Sequence, residues 1–243
     1  MRKNVLITGA ARRIGAECAR VLHGEGCNIV LHYNTSMEQA LLLCDELNEA
    51  RADSALLVKA DLLNPDEIEH LANVSTHVWD GIDMLVNNAS QFYPGLVGQV
   101  GVADWDDMMN TNLRAPFFLS QALVPSISKR RGCIVNIVDI HAGKGLPGYP
   151  VYSVAKAGLE AMTKCLAKEL APEVRVNAVS PGAILWPENG MTDGQKNEIL
   201  QRVALQRCGT AADIAKAVRF LMIDADYITG HVLTVDGGRT LFV

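Results

Sequence analysis

A chain of 243 residues with 49% apolar and 20% charged side chains is long enough for one large α/β domain, and too evenly mixed for a disordered or membrane-spanning protein. Its net charge of −5 counts against a general affinity for nucleic acid or an anionic membrane surface, both of which reward excess Lys and Arg. No shift in composition marks a linker, so a single domain over 1–243 is expected.

Short apolar runs rich in β-branched residues alternate with longer amphipathic stretches along the whole chain. VLIT (5–8) is the first predicted strand, and a helix follows near 14–25. NIVLHY (28–33), SALLVKA (54–60) and DMLVNNA (83–89) are the next three strands, with helices near 36–50 and 65–78 between them. Pro65 followed by Asp66 and Glu67 suits a helix start, because proline loses little in the first turn and acids favour the positive end of the helix dipole. A long helical stretch spans 103–129, followed by the strand CIVNIV (133–138) and a helix near 152–171. VRVNAV (174–179), a helix near 211–223 and HVLTVD (231–236) complete the pattern. Strict alternation predicts a parallel sheet of seven strands covered by helices on both faces, with right-handed crossovers and ligands at the carboxyl ends of the strands.

The chain opens MRKNVLITG, running straight into a strand with no apolar leader, and no segment is long enough to span a bilayer. A cytoplasmic protein is expected. Cys18, Cys27, Cys44, Cys133, Cys165 and Cys208 show no CxxC or metal-like spacing and read as reduced core thiols. The histidines are equally scattered, and no metal site is expected.

The first strand breaks into TGAARRIG (8–15). Gly9 can take backbone angles closed to other residues, and Gly15 lets the helix approach strand and phosphate closely. Two glycines in a βα turn are weak evidence alone, but here a strand precedes them and a helical pattern follows. The second strand ends in HYNTS (32–36), where an NAD-specific protein usually carries an acid for the ribose hydroxyls. His32, Thr35, Ser36 and Arg12 are instead candidate donors to a ribose phosphate, which favours NADPH. HYNTS also reads as a polar turn capping the next helix through Thr35 or Ser36, and the two readings are compatible.

YSVAK places Tyr152 and Lys156 four residues apart, on one face of a helix. Tyrosine, with a pKa near ~10, is a poor acid or base at neutral pH, whereas a nearby ammonium favours its phenolate. The glycine turn, NNAS (87–90), NTN ending at Asn112, YSVAK, NAVSPG (177–182) and VDGG (235–238) together resemble the short-chain dehydrogenase/reductase family over essentially the full length. The resemblance implies an α/β fold with a Rossmann-type doubly wound sheet, a nicotinamide cofactor and, commonly, a homotetramer. It implies Tyr152 as proton donor, Lys156 as the group that holds the nicotinamide ribose and lowers the tyrosine pKa, and Asn112 as support for the proton relay. By the same resemblance Gly9, Arg12, Arg13, Ile14, Gly15, His32, Tyr33, Asn34, Thr35, Ser36, Asp61, Leu62, Asn88, Ala89, Ser90, Pro181 and Gly182 line the cofactor.

Departures from the family pattern sharpen this expectation. The family commonly places a serine before the tyrosine as a donor to a substrate carbonyl, and counting back 13 residues from Tyr152 reaches Asp139. An ionised carboxylate cannot donate to a ketone oxygen, but a carboxyl beside a tyrosine can help protonate a ring nitrogen. The plainer alternative is that Asp139 ends a strand and caps a turn. Arg13 within the glycine turn, His32 with Ser36, and Asp139 together resemble the pteridine reductase branch. In that branch Arg13 lies beside phosphate and pterin, Ser90 donates to pterin or cofactor, and Phe92 stacks on the pterin. Trp186 either encloses substrate or anchors its loop, and 183–207 is expected to form a substrate lid. Thr35 and Ile184 depart from that branch.

The resulting expectation is NADPH-dependent reduction of a dihydropterin or oxidised pterin, with dihydrofolate as a further candidate. Two rivals remain: a generic carbonyl reductase such as a 3-oxoacyl-carrier-protein reductase, and a non-catalytic dinucleotide-sensing protein.

Overall fold

The computed structural model describes residues 2–186 and 191–242. Seven parallel strands, β1 (Asn4–Ile7), β2 (Asn28–Tyr33), β3 (Ala55–Lys59), β4 (Met84–Asn87), β5 (Cys133–Ile137), β6 (Arg175–Pro181) and β7 (Val232–Val235), form one sheet in the order β3-β2-β1-β4-β5-β6-β7. The chain reverses its winding direction between β1 and β4, which opens a crevice at their carboxyl ends.

Alternation along each strand divides the core. Val5, Ile7, Ile29, Leu31, Val86 and Val135 face α1 (Arg13–Gly24), α2 (Met37–Ala50) and α8 (Ala211–Arg219). Leu6, Val30, Leu85, Ile134 and Val176 face α3 (Pro65–His77) and α5 (Ala115–Lys129) on the other side. Both faces are therefore apolar and covered, as near-continuous hydrophobic strands require. The start of α3 forms as its sequence dictates, with Pro65 in the first turn and the Asn64 side chain accepting a bond from the Asp66 amide.

Local structure departs from the sequence reading in three places. The stretch 103–129 is interrupted: α4 (Val102–Met109) passes into α5 through a single π-type turn at Asn110–Arg114, which carries Asn112 inward. Ser36 stands at the N-cap of α2 without a side-chain capping bond, and neither its hydroxyl nor that of Thr35 bonds to any described residue, so the capping reading of HYNTS fails. Cys165 is exposed and Cys208 half-buried, so only four of the six thiols belong to the core. The segment 183–207 holds a short helix, α7 (Asp193–Leu200), and its residues 187–190 lie outside the described residues. Among the described residues no helix is long and apolar enough to cross a membrane, and no cluster of acids, histidines and cysteines could hold a metal.

Candidate active site

Two adjoining cavities occupy the carboxyl end of the sheet and share Arg13, Ile14, Asn88 and Ser90 in their walls. The first, about 450 Å³, lies over the crevice between β1 and β4. It is lined by Gly9, Arg12, Arg13, Ile14, Gly15, the HYNTS residues His32 to Ser36, Asp61, Leu62, Asn88, Ala89 and Ser90, together with Ala11, Leu63, Gln91 and Thr111, which sequence reasoning missed.

The turn is built for close approach. Gly9 sits at φ +61, and a Cβ on Gly15 would lie 2.3 Å from the Gly9 carbonyl oxygen and 2.7 Å from the Asn88 side-chain nitrogen. Only glycine fits there. Asn88 Nδ2 donates to the carbonyls of Thr8 and Gly9 at 2.8 and 3.1 Å, and Thr8 Oγ1 accepts from the amides of Asn88 and Ala89 at 2.9 and 3.0 Å. The NNAS segment thus locks the glycine turn to β4. The amino end of α1 is left pointing into the cavity, where amides and helix dipole suit a phosphate.

Arg13, the first residue of α1, has φ +53, a left-handed conformation that glycine adopts freely and arginine only at a cost. Its side chain lines both cavities, and its guanidinium donates to the carbonyl of Leu185, in the wall of the second, at 3.3 Å.

His32 does not serve as a phosphate donor. Its Nδ1 accepts from the Gly9 amide at 3.1 Å, which leaves the proton on Nε2 to donate to the Ala60 carbonyl at 3.0 Å. Burial lowers its pKa and keeps the ring neutral. The histidine holds the turn instead of reaching for a ligand. Tyr33 packs with Ala11, Ala40 and Leu57, Asn34 donates to Asp61 at 3.5 Å, and Arg12, Thr35 and Ser36 remain as polar groups on the cavity wall.

The second cavity, about 570 Å³, brings together Phe92, Asp139, Tyr152, Lys156, Pro181, Gly182 and Trp186, all expected from sequence, and Met191 and Ile199 of the expected 183–207 lid, with His141, Leu146, Tyr149 and Arg239, which were not expected. Tyr152 and Lys156 project from α6 (Pro150–Glu169). The Tyr152 hydroxyl donates to Asp139 Oδ2 at 2.9 Å, while Asp139 Oδ1 accepts the His141 amide at 2.8 Å. Asp139 therefore both caps its turn and binds the tyrosine. Lys156 is buried, donates to the Ile137 carbonyl at 2.9 Å and places its ammonium 5.7 Å from the Tyr152 ring centroid.

The electrostatics reverse one expectation. Burial and the adjacent carboxylate raise the Tyr152 pKa well above its ordinary value, although an ammonium stands nearby. Burial also pulls Lys156 down, to about 8, against the attraction of Asp139. The hydroxyl is held as a proton-bearing donor.

Asn112 is fully buried and lines neither cavity. Its Nδ2 donates to the carbonyls of Met108 and Gln91, and its Oδ1 accepts from Ser90 Oγ at 2.6 Å, so it makes no direct bond to Tyr152 or Lys156. It fixes Ser90 and the loop that carries Phe92. Phe92 stacks on Tyr149 with centroids 4.5 Å apart and meets Tyr152 edge-on at 4.8 Å. It is 49% exposed, so a flat ring backed by a second aromatic is presented to the cavity.

A glycine-turn dinucleotide cradle joined to a tyrosine–lysine proton-transfer pair defines an oxidoreductase of the Rossmann type. The family model described as enoyl-(acyl carrier protein) reductase matches residues 9–240. The chain is 35% identical over 242 residues to a 3-oxoacyl-[acyl-carrier-protein] reductase FabG of Staphylococcus epidermidis, covering 98% of this chain and 99% of that one. It is 37% identical over 246 residues to nodulation protein G of a Rhizobium species, covering 98% and 97%. A crystal structure of a blue fluorescent protein from a metagenomic library, in complex with NADPH, superposes with a TM-score of 0.91 at 34% identity, covering 98% and 97%. The chain belongs to the short-chain dehydrogenase/reductase family, as an oxidoreductase.

Proposed function

We propose that this protein is an NADPH-dependent pteridine reductase that converts dihydropterins or oxidised pterins to the tetrahydro form. The observation that carries the reading is the Tyr152–Asp139 hydrogen bond, with a carboxylate where the family commonly has a serine donor. Both carboxylate oxygens accept hydrogen bonds, from the Tyr152 hydroxyl and the His141 amide, and as a carboxylate neither can donate to a ketone oxygen, whereas a ring nitrogen needs only one proton source.

The residues of the first cavity fit a dinucleotide. Gly9 and Gly15 leave room that a Cβ would fill, the α1 amino end supplies amides, and Arg12, Thr35 and Ser36 stand where a ribose phosphate would lie, with no acid among the HYNTS residues to oppose it. The complex of a 34% identical structure with NADPH supports that cofactor. NADPH, when bound, supplies the hydride.

The protein's own groups handle the proton. Reduction of a ring C=N bond places hydride on carbon and a proton on nitrogen. The Tyr152 hydroxyl is the nearest proton carrier, and it becomes a competent acid only as negative charge develops on that nitrogen. The Lys156 ammonium stabilises the phenolate left behind, and Asp139 orients the hydroxyl and relays the replacement proton from solvent. Arg13 offers donors to the pterin edge and Phe92 a stacking face, whereas the Ser90 hydroxyl, which donates to Asn112, offers that edge only an acceptor. Trp186, Met191 and Ile199 bound the cavity from the 183–207 segment, which supports its reading as a cover over the substrate. Exposed Phe117, Phe118 and Val154, with Tyr227 and Leu241 near the C-terminus, support a tetramer. We place the enzyme in the cytoplasm.

A second reading, reduction of a 3-oxoacyl thioester, is favoured by the names of the FabG relatives. Against it stands Asp139, and kinetics decide. NADPH oxidation measured with dihydrobiopterin, dihydromonapterin, dihydrofolate and a 3-oxoacyl thioester should show turnover of at least one pterin. Turnover of the thioester alone would replace the pteridine reading with the second one.

A further inference from the structure

Arg239 is the unexplained member of the substrate cavity. It follows the VDGG turn, in which Asp236 accepts the amides of Gly238 and Thr240 at 2.8 and 2.7 Å, with Gly237 and Gly238 at φ +64 and +81. The turn folds the chain back over the end of β7 and directs the arginine into the cavity wall.

The other charged groups of that wall are already engaged. Lys156 binds the Ile137 carbonyl, Arg13 binds the Leu185 carbonyl, and both oxygens of Asp139 are taken by Tyr152 and the His141 amide. His141 adds no positive charge at neutral pH, because burial lowers its pKa. The Arg239 guanidinium makes no hydrogen bond and no ion-pair contact with any described residue. Burial also lowers its pKa, with Asp139 opposing. The half-buried guanidinium feels the charge of Asp139 but leaves its planar fork of donors without a hydrogen bond to any described residue, and a bound carboxylate would engage that fork.

We propose that Arg239 receives a carboxylate carried on the side chain of the substrate, so that this enzyme favours anionic pterins of the folate type over pterins with neutral polyol side chains. The inference rests on the pteridine reading above and adds the class of side chain to it.

Steady-state kinetics of the wild type, Arg239→Met and Arg239→Lys with dihydrofolate and dihydromonapterin test it. Loss of one charge-assisted pair should raise KM for dihydrofolate by about 10- to 100-fold in Arg239→Met with kcat little changed, while dihydromonapterin constants stay within about twofold. Arg239→Lys should fall between, keeping the charge and losing the fork. In the wild type, rising salt should raise KM for dihydrofolate and leave that for dihydromonapterin unchanged, a measurement that does not depend on a variant folding. Equal effects on both substrates, or no preference for the anionic one, would overturn the proposal and leave pteridine reduction standing. Absence of turnover on every pterin would instead overturn the pteridine reading, and this inference with it.

Discussion

Replacing Arg13 by glycine relieves backbone strain and removes a cation from the cavity wall in one step, and the two effects have opposite signs. At φ +53 a residue with a Cβ is strained by about 1–2 kcal/mol relative to a right-handed conformation. Glycine removes that strain but brings about 0.5–1 kcal/mol of extra freedom in the unfolded chain. The net change in stability should therefore be small, about 1 kcal/mol or less, which for a chain of 243 residues moves the thermal midpoint by about 2–4 °C at most. Function should respond differently. A guanidinium hydrogen bond to a ligand contributes about 1.5–3 kcal/mol, so kcat/KM for a dihydropterin should drop by about 10- to 100-fold. NADPH binding retains Arg12, the α1 amides and the Gly9–Gly15 cradle, and its Kd should rise by less than about tenfold. Thermal melting, fluorescence titration with NADPH and steady-state turnover measure the three quantities separately. Equal losses in NADPH affinity and pterin turnover would confine Arg13 to the cofactor, and an unchanged kcat/KM would remove it from the site.

Tyr152→Phe should abolish most turnover, by about 100-fold or more, while circular dichroism and NADPH affinity stay near wild type; retained activity would remove the tyrosine from proton transfer. Gly15→Ala forces a Cβ to within 2.3 Å of the Gly9 carbonyl oxygen, and should both lower stability by about 1–3 kcal/mol and weaken NADPH binding, read by melting with and without cofactor. Lys156 carries its proton only below about 8 in the free enzyme, so kcat/KM should decline as pH rises through that value. Arg substituted for Lys156 keeps its charge and should lose that limb of the pH profile, whereas a limb that persists in Lys156→Arg would assign it to another group. Asp139→Ser restores a hydroxyl donor and should trade pterin turnover for ketone turnover, with unchanged pterin kinetics as the refuting result.

What the sequence determined by itself is local. Strand and helix alternation follows from periodicity within each segment, the glycine turn from residues whose φ or lack of a Cβ is required over eight positions, and the Tyr152–Lys156 face from the helical repeat. The aspartate at 139 could be counted to, but its two simultaneous duties could not be read, because one depends on the turn to His141 and the other on a helix that begins at Pro150. Tertiary structure alone decided the rest. His32 is a holder of Gly9 and not a phosphate donor because a neighbouring strand end supplies the Ala60 carbonyl to its second nitrogen. Tyr152 is raised and not lowered because burial and Asp139 outweigh Lys156, a balance set by distance and solvent exclusion. Arg239 reaches the cavity from the far end of the chain, where only the packing of the last turn against β6 and the loop after β5 brings it beside Asp139. Charges and hydrogen-bond partners that meet across the fold leave no periodic trace in the sequence, since their energies depend on separation in space and not along the chain.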